Sequence, residues 1–279
     1  AIWYAEDGYD PVAKGINGRR VAGQSFLNGF LRHGDVDEFV MLAQSEKAMP
    51  PLRDLAARLR PQVPLRFVQL IRPMGMAPVS TVYYPSPNYA AETWRRAPHG
   101  NAAWAVCGLT HTISTTGVMQ GMFDLRMAPV QPWDAVICTS TAVQASVRYQ
   151  NDLIDAHIAA HFRSNPPPRP MFPVIPLGVH CADFAPDAAA GAELRARLAA
   201  GPQDVVFTTI ARLTPYEKFD PLPIYLAMQA AQRQLPGQKL HVVFCGQFRD
   251  DYSRKVFNDG AARLMPDVGY LLLDGAKAE

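Results

Sequence analysis

Short apolar runs alternate along this chain with stretches whose apolar residues recur at helical spacing. The run "IWYAED" (2–7) reads as an opening strand, followed by a glycine-bearing loop and an amphipathic segment from about Arg20 to Arg32. "DEFVMLAQ" (37–44) predicts the next strand and "PPLRDLAARLR" a basic helix. "LRFVQLI" (65–71), "TVYYPS" (81–86), "AAWAVCGLTH" (102–111) and "DAVICTS" (134–140) continue the strands. Strands this uniformly apolar are covered on both faces, which predicts a parallel sheet between helical layers.

The texture changes between about Asn165 and Pro186. "NPPPRPMFPVIPLGVHCADFAP" is too rich in proline for a helix or a central strand. It is the strongest candidate domain boundary, and a stiff crossing of this kind can space two domains while leaving them free to hinge. The expected division is 1–173, a linker over 174–186, and 187–279. Beyond it the alternation restarts. Strands are predicted at 204–213, 239–246 and 268–275, with helices at 221–234 and 251–264. Three strands and two helices make half of a doubly wound domain, so the second domain is expected to be incomplete in this sequence.

Composition narrows the function. The 279 residues are 48% hydrophobic and 19% charged, which is globular. With 27 basic and 25 acidic residues and no basic run, the chain lacks the concentrated positive face of a nucleic-acid binder. A single phosphate-bearing ligand, held by two or three cations, stays within reach. No apolar stretch approaches the roughly 18–20 residues that span a bilayer, and the opening residues lack the pattern of a signal peptide. Cys107, Cys138, Cys181 and Cys245 form no Cys-x-x-Cys pair and read as buried, reduced thiols, which fits a cytoplasmic protein.

Ligands of open α/β sheets bind beyond the carboxyl ends of the strands. Three positions there carry chemistry. "AKGINGRR" brings Gly15 and Gly18 to a helix start, where free N–H groups favour an anion, although an ordinary turn explains the pattern equally well. It is not a Gly-x-Gly-x-x-Gly fingerprint, which argues against a nicotinamide dehydrogenase. His111, directly after "AAWAVCGL", can donate to a sugar hydroxyl or shuttle a proton, or can be an ordinary loop histidine. In "ARLTPYEKFD", Arg212 and Lys218 flank a turn; a planar fork and a point charge together suit a diphosphate, unless the loop is merely solvated with an ion pair to Glu217. His157 and His161 have a metal-like helical spacing, but Ile158 stands where a metalloprotease helix needs glutamate, so a solvent-facing pair is expected and no metal site.

In this order the landmarks resemble family 4 glycosyltransferases, which adopt the two-domain GT-B fold. The resemblance covers essentially the whole chain and rests on "KGINGRR", on the join "VIPLGVHCADFAP" and on "ARLTPYEKFD", which is similar to the family's Arg-Leu-x-x-x-x-Lys motif. It implies an α/β fold with two Rossmann-like domains and retaining, metal-independent sugar transfer. The donor would be a UDP- or GDP-sugar and the acceptor a carbohydrate or a lipid-linked one, with no cofactor. It further implies that Arg212 and Lys218 contact the donor diphosphate, that His111 lies near the transferred sugar, and that Gly15 and Gly18 lie near the reacting centre. Ala211 and Phe219 depart from the family, which favours glycine at both places. The family's paired glutamates would lie beyond Glu279, so the resemblance implies little activity for these 279 residues alone. A nucleotide-sugar epimerase and a non-catalytic nucleotide- or sugar-binding protein are the competing readings, the first weakened by the lack of a carboxylate pair. Acceptor choice is expected in first-domain loops such as 85–100, where Tyr89, Trp94, Arg95 and Arg96 can either stack on a sugar or pack. Membrane-surface binding by that loop has no support in the sequence.

Overall fold

The computed structural model describes residues 1–10 and 18–275. The chain divides into two compact units, Ala1–Cys181 and Ala182–Glu279.

The first unit runs β1 (Ile2–Trp3), α1 (Glu6–Tyr9), α2 (Gly18–His33), β2 (Phe39–Ala43), α3 (Met49–Leu59), β3 (Leu65–Gln69), β4 (Thr81–Tyr84), α4 (Ala90–Arg96), β5 (Ala105–Leu109), α5 (Thr116–Met127), β6 (Ala135–Ile137) and α6 (Thr141–Phe162). All six strands are parallel, in the order β3-β2-β1-β4-β5-β6. The order reverses between β1 and β4, the switch point at which open sheets present ligand sites. Every residue of β2 is buried, because both faces are covered. Phe39 and Met41 join Leu27 and Leu31 of α2 and Leu52 and Ala56 of α3. Val40 and Leu42 face the other way, in the core that holds Met122 and Leu125 of α5.

The opening strand is shorter than the expected run of 2–7. Only Ile2 and Trp3 pair as strand, and Glu6–Tyr9 turn into α1. Acidic residues in a first turn complement the helix dipole, and the Tyr9 hydroxyl donates back to the Trp3 carbonyl at 3.0 Å. α2 lies tightly on α1: a Cβ at Gly23 would stand 1.9 Å from the Gly8 carbonyl oxygen.

The proline-rich run begins as part of the first unit. Met171 donates to the Asp134 carbonyl at 2.7 Å and Ile175 to that of Cys138 at 2.9 Å, while Val136 and Cys138 donate back to Met171 and Pro173. Pro170 falls where no N–H is needed, whereas Pro173 gives the ladder only its carbonyl and interrupts it opposite Val136, which an edge segment tolerates. Arg126 fixes the start of the run by donating to the carbonyls of Pro167 (2.6 Å) and Pro168 (2.8 Å).

The second unit contains α7 (Ala188–Arg197), β7 (Val205–Ile210), α8 (Leu222–Gln234), β8 (Leu240–Gly246), α9 (Asp251–Leu264) and β9 (Gly269–Asp274). Its parallel strands run in the order β7-β8-β9. Val242 and Phe244 of β8 pack against Tyr225 and Met228 of α8 and Phe257 and Ala261 of α9. β7 is far more open, with Phe207 50% and Ile210 81% exposed.

The cysteines depart from expectation. Only Cys138 is buried; Cys107 and Cys245 are partly covered, and Cys181 is exposed. An apolar neighbourhood in sequence marks a strand, not the depth of each of its side chains. Among the described residues no helix is long and apolar enough to cross a membrane.

Candidate functional site

In the first unit, the carboxyl ends of β1, β4 and β5 gather the chemistry. Asp7 of α1 pairs with Arg19, and with Arg20 at 2.5 Å, so the first turn of α2 is tied to the segment that follows β1. The Arg20 hydrogen bond, reinforced by the charges of both arginines, holds the Asp7 carboxyl below the usual carboxylate range. Gly18 opens α2, and a Cβ there would meet nothing within 4 Å. A close backbone approach is instead made at Gly23, where α2 meets Gly8 of α1. Gly15 lies outside the described residues.

His111 follows β5 after Leu109 and the buried Thr110. Burial lowers its affinity for a proton, the Pro85 backbone opposes that, and the charge of Arg19 adds to it. The imidazole is therefore biased toward its neutral form, which can donate from one ring nitrogen and accept on the other.

Beside it lies a group of which sequence reasoning named only Arg95. The rings of Trp3 and Tyr84, at the ends of β1 and β4, sit 4.8 Å apart and tilted by 51°. Glu92 in the first turn of α4 is only 6% exposed, and one of its oxygens accepts from Arg95 Nε at 3.1 Å. Arg95 also donates to the Leu70 carbonyl at 3.2 Å, joining α4 to the segment after β3. Burial raises the Glu92 carboxyl above its ordinary value, and Arg95 offsets part of the rise. The Tyr84 phenol is raised by burial and by Glu92, against Arg19 and Arg95. The only local sequence signal was the i, i+3 spacing of Glu92 and Arg95, which reads as a surface ion pair.

Two residues proposed for acceptor choice are excluded. Tyr89 and Arg96 are fully buried and belong to the core. Arg96 donates to Asp134 twice, at 2.6 and 2.8 Å, and to the carbonyls of Trp104 and Pro129. Asp134 also accepts from the backbone of Val106 and Gln131, each at 2.8 Å. Trp94, by contrast, is 59% exposed.

In the second unit the group is simpler. β7 ends at Ile210, and Ala211 passes so close to the end of β8 that a Cβ at Gly246 would stand 1.7 Å from its carbonyl oxygen. Leu213, fully buried, anchors the following turn by donating to the Gln247 carbonyl at 2.9 Å. The Thr214 carbonyl accepts from Glu217, Lys218 and Phe219, curling the chain back. Phe219 packs on Phe257, its ring centroid 5.9 Å away, and so pins the turn on its apolar side. Arg212 and Lys218 are both exposed. Glu217 pairs with Arg249, and among the described residues neither Arg212 nor Lys218 has a side-chain partner. Two uncommitted cations on an anchored turn can hold an anion without first breaking an ion pair.

His157 and His161 stack on the exposed side of α6, with centroids 5.2 Å apart. Among the described residues no group of three or more His, Cys, Asp or Glu is placed to hold a metal ion.

No family model matches the chain, and no curated protein does. Among solved structures it is similar to HepE of Anabaena. Against HepE in complex with UDP the TM-score is 0.58 at 14% identity, over 98% of this chain and 68% of that one. With UDP-glucose bound the values are 0.52 and 14%, over 91% and 66%, and with UDP and glucose 0.55 and 13%, over 98% and 69%. The likeness establishes the fold class: α/β, two Rossmann-like parallel sheets of the GT-B type.

Proposed function

We propose that the chain belongs to a glycosyltransferase that moves a sugar from a UDP- or GDP-sugar to a carbohydrate or lipid-linked acceptor, with retention and without a bound metal. The observation that carries this reading is the pair Arg212 and Lys218, exposed and without side-chain partners among the described residues on a turn fixed by Leu213 and Phe219. They would bind the donor diphosphate and stabilise the charge that develops as it departs. A neutral His111 at the switch-point end of the first sheet would position the transferred sugar, near the glycine loop that carries Gly15 and Gly18. The fold, shared with a protein solved with UDP and with UDP-glucose, supports the choice of ligand class.

Calorimetric titration of UDP, GDP and NAD into the protein and into Arg212→Ala tests it. UDP or GDP is expected to bind, and to bind at least about tenfold more weakly to the variant, since hydrogen bonds to charged groups contribute about 1.5–3 kcal/mol. Binding of NAD alone, or of no nucleotide, overturns the reading.

A further inference from the structure

Several groups beside the switch point of the first sheet are left without an internal purpose. The indole Nε1 of Trp3 is buried and has no hydrogen-bond partner among the described residues, and an unmet buried donor costs about 1–3 kcal/mol. Glu92 offers only one of its two oxygens to Arg95; the other has no protein partner among the described residues. The Tyr84 hydroxyl likewise makes no hydrogen bond among them. These groups share one neighbourhood. The Trp3 and Tyr84 rings touch, and Leu70, whose carbonyl accepts from Arg95, packs against the same core as both of them.

A buried ion pair maintained purely for the fold looks different in this protein. Asp134 has both oxygens saturated, by Arg96 and by two backbone N–H groups. The group around Glu92 combines an aromatic wall, a carboxylate with a free acceptor, a guanidinium, a hydroxyl and a spare N–H. Sugars present an apolar ring face bordered by hydroxyls that both donate and accept, so this combination matches a saccharide better than it matches a phosphate, which a carboxylate repels, or a lipid chain, which leaves the polar groups unmet.

We propose that Trp3, Tyr84, Glu92 and Arg95 form a seat for the acceptor saccharide, with the free Glu92 oxygen accepting a sugar hydroxyl and the Trp3 indole donating to another. This rests on the glycosyltransferase reading for its role in transfer, while sugar binding at the seat is testable without it. Arg95 is the positioning residue: its bonds to Glu92 and to the Leu70 carbonyl tie the carboxylate to the segment after β3.

The test follows the indole N–H signals of the ¹⁵N-labelled protein while glucose, galactose, mannose and N-acetylglucosamine are added separately, with Trp3→Phe assigning the Trp3 resonance. At least one sugar is expected to move that signal saturably, and Glu92→Gln to weaken the binding at least about tenfold, as befits loss of a charged hydrogen bond. Tyr84→Phe keeps the ring and is expected to weaken it less; should Glu92→Gln fail to fold, Tyr84→Phe carries the same comparison. A Trp3 signal unmoved by all four sugars, or a shift whose affinity neither variant changes, overturns the seat. UDP or GDP is titrated into the same sample. Nucleotide binding that depends on Arg212, beside an unresponsive Trp3, rejects the seat alone, whereas the absence of both also rejects the proposed function.

Discussion

A set of arginines in the first unit and one pair of cations in the second are used in opposite ways. In the first, the arginines near the sheet ends are committed within the fold: Arg96 to Asp134, Arg126 and Arg169 to Asp155, Arg95 to Glu92, and Arg19 to Asp7. In the second, Arg212 and Lys218 stand exposed, without side-chain partners among the described residues, on a turn whose apolar side is firmly anchored. A buried, saturated guanidinium keeps elements in register and has no donors left for a ligand. An exposed cation on a fixed backbone contributes little to stability and loses little when an anion arrives. Positive charge alone therefore does not mark a binding site; its partners do.

The sharpest way to break this contrast is to delete one cation from each class. Arg96→Ala leaves Asp134 charged and buried, and should cost about 3–5 kcal/mol in urea or thermal unfolding. Arg212→Ala should stay within about 0.5 kcal/mol of wild type, as surface changes do. Comparable losses would show that Arg212 is structural. Next in size, Gly23→Ala forces a methyl group onto the Gly8 carbonyl, and should cost about 1–3 kcal/mol by overpacking α1 against α2. Lys218→Ala reverses the pattern. It is expected to reduce UDP or GDP affinity severalfold, measured calorimetrically, with an unchanged melting temperature.

The pH dependence gives a finer comparison within the first unit. His111 has a folded pKa below its ordinary value of 6.5, so its neutral form is favoured by folding. Its contribution to stability is fully present above that ordinary value and is lost as pH falls through the depressed one. Glu92 has the opposite sign. Its carboxyl is raised above the ordinary 4.5, so its contribution is fully present below that value and is lost as pH rises through the folded one. Melting temperatures recorded across this range should therefore show His111→Asn flattening the fall on the acidic side of neutrality, and Glu92→Gln the change at lower pH. The smallest effect is expected for His157→Ala, within about 0.5 kcal/mol, because the ring stacks on His161 in solvent.

Much of the framework was legible in the chain. The predicted helix at 251–264 matches α9, and each strand of both sheets falls within a predicted apolar run. Arg212 and Lys218 could be singled out because they flank one short turn, although the contacts that anchor that turn, with Gln247 and Phe257, are distant in sequence. Glu92 could not. Its setting comes from Arg95, which is held by the carbonyl of Leu70, a residue distant in sequence that comes near only once the parallel strands align.

Arg95 and Arg96 state the limit most plainly. They are neighbours of one residue type on one helix, yet Arg95 is half-buried beside Glu92 while Arg96 is sealed against Asp134 in the interior. The sequence by itself determined which segments become strands and helices, because apolar periodicity reports which face of each element must leave water. Only the tertiary structure decided which arginine holds the fold and which groups stay free for a ligand. Ion pairs and hydrogen bonds are settled by distances of a few ångströms between residues far apart along the chain, and no local pattern of residues encodes those distances.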